Sequence, residues 1–201
     1  ISLSDFTKWL AQQAEELEVE IYPGFAASEV LFDENNKVLG VATCDMGRLK
    51  DGSEGPNFER GIELRAKQTI FSEGCRGHLG KILMEKFNLN SDNSPQTYGI
   101  GIKELWEVTP ENSKPGSIMH TTGWPLDSDT YGGSFLYHLD NNKVSIGFVI
   151  GLDYKNPYLS PYLEFQRFKH HPAIKKLLEG GRRINYGARA LNEGGVQSLP
   201  K

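Results

Sequence analysis

The segment 67–80 carries the first group of residues whose types and spacing suit ligand chemistry. A short β-prone run ends at Ser72, the pair Glu73 and Gly74 interrupts it, and an apolar-periodic helix follows. The three glycines of the segment allow close approach to the backbone, and amides at the start of a helix favour an anion such as a pyrophosphate. We therefore predict a cofactor-binding edge at Ser72, Glu73, Gly74 and Gly77. Glycines at this spacing are equally compatible with a simple turn and close helix packing.

The segment 124–138 holds a second candidate site. Gly132 and Gly133 stand together at the start of a β-prone run, where their backbone amides and carbonyls would be accessible. This arrangement suits a planar, mostly apolar ligand held by a few backbone hydrogen bonds. A β-bulge or tight turn among core aromatics explains the same spacing and is the commoner use of glycine in strands. The aromatic residues that could form flat walls are Trp124, Tyr131, Phe135 and Tyr137.

The sequence lacks the spacings typical of other catalytic centres. His170 and His171 are neighbours, no His-x-x-x-His or Cys-x-x-Cys occurs, and we expect no metal ligands in this chain. Cys44 and Cys75 are too few for an iron–sulfur cluster and form no disulfide framework, so we interpret them as free thiols. No serine or cysteine lies in a nucleophile-elbow context, and no complete Gly-x-Gly-x-x-Gly follows a strand.

Composition places the chain among globular proteins. Its 201 residues, 38% hydrophobic and 24% charged, suffice for one large or two small domains with a buried core. The net charge of −4, with lysines and arginines scattered, gives no electrostatic footprint for nucleic acid. No apolar run approaches the roughly 20 residues that span a bilayer. Any membrane contact is therefore expected to be peripheral or to lie outside this chain.

The first half of the chain predicts helices flanking short strands. It opens directly with an amphipathic helix, and we expect the chain to be part of a longer protein. The polar, non-periodic stretch after Asp45 predicts a long loop. The predicted elements are a helix at 2–17, strands at 19–22, 28–32, 38–43, 62–66 and 68–72, the loop at 45–61 and a helix after Gly77.

The second half predicts an antiparallel sheet with one strongly apolar face. We expect a domain crossover in the polar stretch 88–96. In the strand after it, isoleucines alternate with Gly99 and Gly101, and a strand face made of glycine leaves room for something flat. The predicted strands are 97–105, 117–122, 132–139, 143–150 and 182–191, with helices starting at Ser160-Pro161 and at Ala173.

Several long strings in the sequence resemble a known family, the electron-transfer-flavoprotein:ubiquinone oxidoreductases. The likeness runs from the first helix to the end of the chain. The strings that carry it are Tyr98-Gly-Ile-Gly-Ile-Lys-Glu-Leu-Trp106, Gly123-Trp-Pro-Leu-Asp127, Thr130-Tyr-Gly-Gly-Ser-Phe-Leu-Tyr-His138, Gly151-Leu-Asp-Tyr-Lys-Asn-Pro-Tyr-Leu-Ser-Pro161, His170-His-Pro172 and Tyr186-Gly-Ala-Arg-Ala-Leu-Asn-Glu-Gly-Gly195.

The resemblance implies a peripheral membrane flavoprotein of fatty acid and amino acid oxidation. Electrons would pass from reduced electron-transfer flavoprotein, through FAD and a 4Fe-4S cluster, to ubiquinone. Gly132 and Gly133, with the neighbouring Tyr131, match the glycine pair that faces the quinone head group, and the stretch 72–74 matches a strand-end motif near the flavin. Quinone reduction also takes up two protons, for which Tyr131, His120 or His138 are candidate relays, although structural roles suit each of them as well. The membrane would be the mitochondrial inner membrane, on its matrix side, or the cytoplasmic face of a bacterial inner membrane.

The resemblance also implies an architecture. We expect an α+β fold, with a mixed sheet and flanking helices. Residues 1–92 would form part of an FAD-binding domain with a β-hairpin insertion, and residues 93–184 would form an antiparallel ubiquinone-binding sheet with helices. Residues 185–201 would form a segment that returns towards the FAD-binding domain. The dinucleotide fingerprint, the four cluster cysteines and an apolar docking segment are absent from this stretch of sequence. We therefore expect a middle fragment, inactive alone, with the cluster ligands outside it.

Two other functions stay open from the sequence. One is another FAD oxidoreductase with the same layout, of the geranylgeranyl-reductase or aromatic-hydroxylase type. The other is a non-catalytic module whose glycine-faced sheet holds an apolar ligand without any redox cofactor. Cluster cysteines elsewhere in the gene would argue against the first, and a dinucleotide fingerprint upstream would argue against the second.

Overall fold

The computed structural model describes residues 2–201, which form two compact units. The N-terminal unit comprises residues 3–91, and the C-terminal unit comprises residues 92–201 together with Ser2. The boundary falls within the polar stretch where a crossover is predicted. The assignment of the two parts to different cofactors stays a prediction, because compactness says nothing of what a unit binds.

The N-terminal unit combines two helices with two small antiparallel sheets. Strands β1, β2 and β5 form one sheet in the order β1-β2-β5, and β3 pairs with β4. Leu79 of the second helix and Val30 of β1 are its buried apolar residues, at 1% and 5% exposure. The elements are α1 (Leu3–Glu16), β1 (Ala27–Phe32), β2 (Val38–Thr43), β3 (Met46–Arg48), β4 (Glu54–Glu59), β5 (Glu63–Arg65) and α2 (His78–Lys86).

The predicted loop at 45–61 is wrong, because this stretch forms the β3–β4 hairpin. Polar contacts replace the hydrophobic alternation that the sequence lacks. The Arg48 guanidinium binds the Asp45 carboxylate and donates to the Gly52 carbonyl oxygen at 2.9 Å. It also lies 4.9 Å from the centre of the Phe58 ring, a cation–π contact across the hairpin. Such contacts between side chains leave no periodic signal in the sequence.

Two other predicted strands are also wrong. Residues 19–22 and 68–72 pair with no strand among the described residues. Ile70 is 84% exposed and Val19 is 51% exposed, so the apolar residues that suggested strands have no sheet to cover. A segment of β-prone residues forms a strand only when it pairs with another strand, and neither of these segments has one beside it.

The C-terminal unit is built on a five-stranded antiparallel sheet in the order β10-β6-β9-β8-β7. The predicted α+β class is confirmed, and every strand pair among the described residues is antiparallel. The final strand returns to pair with β6 at the edge of the sheet. The elements are β6 (Tyr98–Glu107), β7 (Ile118–Thr122), β8 (Gly132–His138), β9 (Lys143–Gly151), α3 (Pro161–Lys169), α4 (Pro172–Leu178) and β10 (Arg182–Asn192), with short 3-10 turns at Pro110–Asn112 and Val196–Ser198.

One side of this sheet, which we call the helix face, is covered by α3 and α4. The Phe148 ring of β9 lies 6.2 Å from the Phe165 ring and 5.5 Å from the Phe168 ring, measured between ring centres. Val144, Ile146, Phe148 and Ile150 are at most 1% exposed, as their alternation predicts. Each such side chain contributes about 1.5–3 kcal/mol when fully buried. The predicted start of α3 is also confirmed, since Ser160 is its N-cap and accepts from the Leu163 amide.

A buried charge cluster fixes α3 and β10 to β6. The Glu104 side chain is 2% exposed and accepts hydrogen bonds from Lys169 Nζ, at 2.8 and 2.9 Å, from Arg183 at 3.1 Å and from Trp106 Nε1 at 2.8 Å. Burial by itself would raise the pKa of Glu104, but the hydrogen bonds from Lys169 and Trp106 hold that pKa below its ordinary value. The carboxylate therefore stays charged and ties three elements together.

Candidate functional site

The side of the five-stranded sheet opposite the helices, which we call the glycine face, carries a cluster of glycines at positions 99, 101, 133, 147 and 151. In the second half of β9 the residues directed to this face are Gly147, Val149 and Gly151, because Ile146, Phe148 and Ile150 are buried on the helix face. Val149 pairs with Gly101 of β6 on one side and with Gly133 of β8 on the other. A row of glycine, valine and glycine thus crosses three strands.

Two aromatic side chains border this row. The Phe135 ring lies over Gly147, where an added Cβ would collide with the ring carbons. At the other end of β9, a Cβ on Gly151 would lie 3.3 Å from Cδ1 of Tyr131 and 2.9 Å from Oδ1 of Asp153. The two glycines are four residues apart, which is about 13 Å along a strand. We call the space between the two rings, floored by Gly101, Val149 and Gly133, the glycine trough.

The glycine pair at 132 and 133 has roles inside the sheet. A Cβ on Gly132 would lie 2.5 Å from both Leu126 Cδ1 and the Val149 carbonyl oxygen, and a Cβ on Gly133 would lie 2.5 Å from the Thr121 carbonyl oxygen. The register of β8 with β7 and β9 runs without a shift, so no β-bulge occurs there. Only Gly133 lies on the glycine face, because successive residues of a strand point to opposite faces. Its contact with a quinone stays a prediction.

Tyr131 lies at one end of the trough and is 70% exposed. It borders a cleft of about 250 Å³ whose other lining residues are Thr97, Tyr98, Asp153 and Glu193. The carboxylate of Glu193 occupies the space over Gly99, since a Cβ there would lie 2.8 Å from Oε1. This end of the trough is therefore polar and acidic. A cleft of about 270 Å³ on the helix face contains none of the predicted site residues and is lined by Trp106, Gln166, Lys169, His170, Lys175, Leu178 and Glu179.

The candidate proton relays lie on different faces. His138 is 6% exposed on the helix face, and its Nδ1 accepts a hydrogen bond of 3.2 Å from the Lys114 amide. Burial, and the charge of Lys114 after it, hold the pKa of His138 below the ordinary histidine value. His120 lies on the glycine face, where it pairs with Phe135, and its Nε2 is 3.1 Å from the Tyr137 hydroxyl. The structure thus separates His120 from His138.

At the predicted cofactor edge in the N-terminal unit, the carboxylate of Glu73 binds the amides at the start of α2. Glu73 turns back so that its Oε1 accepts from the Leu79 amide at 3.1 Å and its Oε2 accepts from the Gly80 amide at 2.6 Å. Gly77 is buried because the Glu73 side chain fills the space beside it. The amides at the start of α2, where we predict a phosphate, therefore bind the protein's own carboxylate.

A flavin fits only part of this edge. Gly74 has φ +85°, a conformation that favours glycine, and nothing within 4 Å of the place where its Cβ would be. Ser72, Glu73 and Gly74 are exposed, so the backbone of the turn is open to close approach. The Leu79 and Gly80 amides of α2 already donate to Glu73. Contact of Ser72, Glu73, Gly74 and Gly77 with a cofactor stays a prediction.

Some of these features gave no usable signal in the sequence. The overlap of Phe135 with Gly147, the place of Gly151 beside Tyr131 and the return of Glu73 onto α2 all depend on contacts that one-dimensional patterns do not show. Gly101 is different, because its alternation with isoleucine predicts the glycine face that the register confirms. Residues 2–201 contain no group of three His, Cys, Asp or Glu side chains placed to hold a metal ion.

Comparison with known proteins assigns the sheet to a class of domain. Residues 98–191 match a family model described as "ETF-QO, ubiquinone-binding". The match begins with β6 and ends in β10, so it covers the five-stranded sheet and both helices on it. This unit is therefore similar to the ubiquinone-binding domains that the family model describes.

The whole chain is similar to particular members of the family. It is 60% identical to "Electron transfer flavoprotein-ubiquinone oxidoreductase, mitochondrial" of Homo sapiens over 203 residues, which is 100% of this chain and 33% of the relative. It is 57% identical to "Electron transfer flavoprotein-ubiquinone oxidoreductase" of Pseudomonas aeruginosa, which it covers to 37%. The family recognised from the motifs is thereby confirmed. The chain spans about a third of the length of these relatives.

Solved structures share the fold at low sequence identity. A geranylgeranyl bacteriochlorophyll reductase-like protein from Thermoplasma acidophilum superposes with a TM-score of 0.62 at 17% identity, covering 92% of this chain and 41% of that one. The flavin-dependent brominase Bmp2 gives a TM-score of 0.54 at 18% identity, covering 94% and 43%. At such identities the likeness shows the fold alone.

Proposed function

We propose that this chain contributes the quinone-binding sheet, and part of a flavin-binding region, to a protein that passes electrons from reduced electron transfer flavoprotein to ubiquinone. The observation that carries the proposal is the glycine trough, which lies within the range 98–191 that matches the ubiquinone-binding family model. The names of relatives at 57–60% identity support the same reaction.

The shape of the trough suits a quinone head group. Its floor has no side chains at Gly101 and Gly133, and Val149 and Leu191 supply apolar contact beside them. Phe135 and Tyr131 border the floor at its two ends. A flat ring can therefore lie close to the backbone while aromatic edges confine it, as expected of sites for planar, mostly apolar ligands. Gly132 acts indirectly, since it lets Leu126 pack beneath the start of β8.

The other cofactors of the proposal lie partly or wholly beyond these residues. FAD would approach the open turn at Ser72, Glu73 and Gly74, with the Glu73 carboxylate and Gly77 maintaining the shape of that turn. FAD supplies the redox chemistry that connects a two-electron quinone to the protein donor. We place the ligands of the 4Fe-4S cluster outside this chain.

The proposal includes a membrane, because ubiquinone is a lipid. No helix among residues 2–201 is both long and apolar enough to cross a bilayer. The mitochondrial names of several relatives support a mitochondrial origin, and a bacterial relative from Pseudomonas is 57% identical to the chain. We propose peripheral attachment to the matrix side of the inner membrane, or to the cytoplasmic face in a bacterium, through contacts that lie mostly outside this chain.

Two glycines of the same face provide the test. A Cβ on Gly101 would lie 3.5 Å from its nearest neighbour, Leu191 Cδ2, so alanine fits the fold there while reducing the depth of the trough. Gly187 of β10 lies on the same face with nothing within 4 Å of its Cβ position, and serves as the matched control. Gly133 is unsuitable, because a Cβ there would press on the Thr121 carbonyl oxygen.

The assay is reduction of a soluble ubiquinone analogue by the full-length, detergent-purified protein. We expect Gly101→Ala to raise KM for the quinone about tenfold, and Gly101→Val more, since a bound ring loses its contact with the backbone. Gly187→Ala should match the wild type. A protein that contains flavin and does not reduce the quinone would contradict the proposal, as would equal effects of the two substitutions.

The two alternative functions are less well supported. A geranylgeranyl-reductase-like or aromatic-hydroxylase-like activity rests on a shared fold at 17–18% identity, against 57–60% identity to the ubiquinone oxidoreductases. A non-catalytic module predicts that the full-length protein carries no flavin, which its absorption spectrum would show directly.

A further inference from the structure

His120 and Tyr137 form a pair of titratable side chains on the glycine face. Nε2 of His120 and the Tyr137 hydroxyl are 3.1 Å apart, and their rings are 5.5 Å apart at an edge-to-face angle of 63°. The Tyr137 ring lies 5.3 Å from the Phe135 ring, which borders the trough. The pair therefore continues the aromatic wall of the trough toward β7.

The strand register places this pair next to the floor of the trough. Thr122 pairs with Gly133 in the row that forms the floor, and His120 is two residues back along the same strand and on the same face. Its partner across the ladder is Phe135. The backbone of His120 thus lies about 7 Å along β7 from Thr122, the residue that pairs with the Gly133 end of the floor, a distance within the reach of a side chain.

The surroundings of His120 suit proton transfer. It is exposed, so water can protonate it again, and its Nδ1 is not part of the contact with Tyr137. Its partner across the ladder, Phe135, is neutral, and its Nε2 contacts the Tyr137 hydroxyl. The charged strand side chains that the register places on this face, within the C-terminal unit, lie two or more strands away: Lys143 on β9, Lys103 and Glu107 on β6, and Arg182 and Arg189 on β10.

We propose that His120, positioned by Tyr137, donates protons to the quinone head group bound in the glycine trough. This inference rests on the proposed function. Ubiquinone gains two electrons from reduced electron transfer flavoprotein and two protons from water, giving ubiquinol. At each proton transfer the N–H bond at Nδ1 of the imidazolium breaks and an O–H bond forms on a quinone oxygen. The neutral imidazole then takes a proton from water.

The other titratable side chains of this sheet fit the task less well. Imidazole is the side chain that ordinarily gains and loses a proton near neutral pH, which a phenol does not. His138 lies on the helix face with Nδ1 engaged by the Lys114 amide. Asp153 and Glu193 lie beside the glycines at the opposite end of β9 from Gly147.

The test compares two electron acceptors in the full-length protein. A soluble ubiquinone analogue takes up protons when reduced, and a one-electron metal-complex acceptor does not. We expect His120→Asn to lower kcat with the quinone about 100-fold, a typical loss for a proton donor, with little change in KM. Its rate with the one-electron acceptor should stay at the wild-type value. Tyr137→Phe keeps the imidazole and should cost less, about threefold to tenfold.

The pH profile separates proton donation from a structural role. A donor must be protonated, so the wild-type rate with the quinone should fall as pH rises, and His120→Asn should remove that fall. His170→Asn, an exposed histidine at the end of α3, is the matched control and should behave as the wild type. An unchanged profile in His120→Asn, or equal losses with both acceptors, would overturn this inference alone. A wild type that holds flavin and reduces no quinone would overturn the proposed function, and this inference with it.

Discussion

The ring of Phe135 lies over the backbone of Gly147, its direct partner across the β8–β9 ladder. A Cβ at position 147 would overlap the ring, so Phe135 can adopt this position only because residue 147 is a glycine. The ring in turn covers the backbone of Gly147. Aromatic side chains commonly offset the poor packing of a glycine in a neighbouring strand. Here the pair also borders the trough, which links packing within the sheet to the shape of the candidate site.

This relationship predicts a coupled pair of substitutions. Gly147→Ala alone should lower the free energy of unfolding by about 1–3 kcal/mol, the typical cost of overpacking, because the Phe135 ring must move. Phe135→Leu in the same molecule should recover part of that loss. Urea unfolding of the two single variants and the double variant measures the coupling. Additive effects would show that ring and glycine are independent.

The buried carboxylate of Glu104 should contribute far more to the free energy of unfolding than the exposed carboxylate of Glu107 on the same strand. Glu104→Gln leaves Lys169, whose side chain is 13% exposed, without its counter-charge, and should cost about 3–5 kcal/mol. Glu107→Gln is the control, since the Glu107–Arg182 pair is 52% and 77% exposed and should contribute less than about 1 kcal/mol. Denaturant titrations of both variants measure the two free energies of unfolding. Similar decreases in Glu104→Gln and Glu107→Gln would contradict the role assigned to burial.

His138 should make stability depend on pH. Its pKa is lowered in the folded protein, so as pH falls below the ordinary histidine value of about 6.5 the unfolded chain takes up a proton that the native chain resists. Stability is therefore complete above that pH and is lost as pH falls toward the lowered native pKa. Protonation of Nδ1 also removes the acceptor for the Lys114 amide.

The check is the free energy of unfolding at pH 7.5 and at pH 5.5. We expect the drop between the two to be smaller in His138→Asn than in the wild type, while the exposed His170→Asn keeps the full drop. If all three proteins lose the same amount, the pH dependence comes from other groups.

Glu73 should act as an internal cap of α2. Glu73→Ala removes two acceptors from the first turn and should lower the free energy of unfolding by about 1–2 kcal/mol. Faster hydrogen exchange at the Leu79 and Gly80 amides would locate the effect. Glu85→Ala, at an exposed position near the other end of the same helix, should leave both amides protected. Unchanged exchange in Glu73→Ala would mean that these amides have another acceptor.

The sequence by itself predicts much of the C-terminal unit. Alternation at 144, 146, 148 and 150 predicts β9 and its buried face, because residues two apart in a strand point the same way. Ser160 followed by Pro161 predicts the start of α3, since both residues satisfy local requirements of a helix N-terminus. The long family strings predict the match to the ubiquinone oxidoreductases. Each of these signals is contained within a few neighbouring residues.

Only the tertiary structure decides how distant residues meet. Strand register brings Gly101, Val149 and Gly133 into one row, although they are far apart in the chain. The same register separates Gly132 from Gly133 and His120 from His138, and the turn of Glu73 onto α2 occupies the amides at which an anion is predicted. Such contacts depend on pairing and packing between elements, which local periodicity does not encode. The residue types are therefore evident from the sequence, and the site that they form is evident only from the fold.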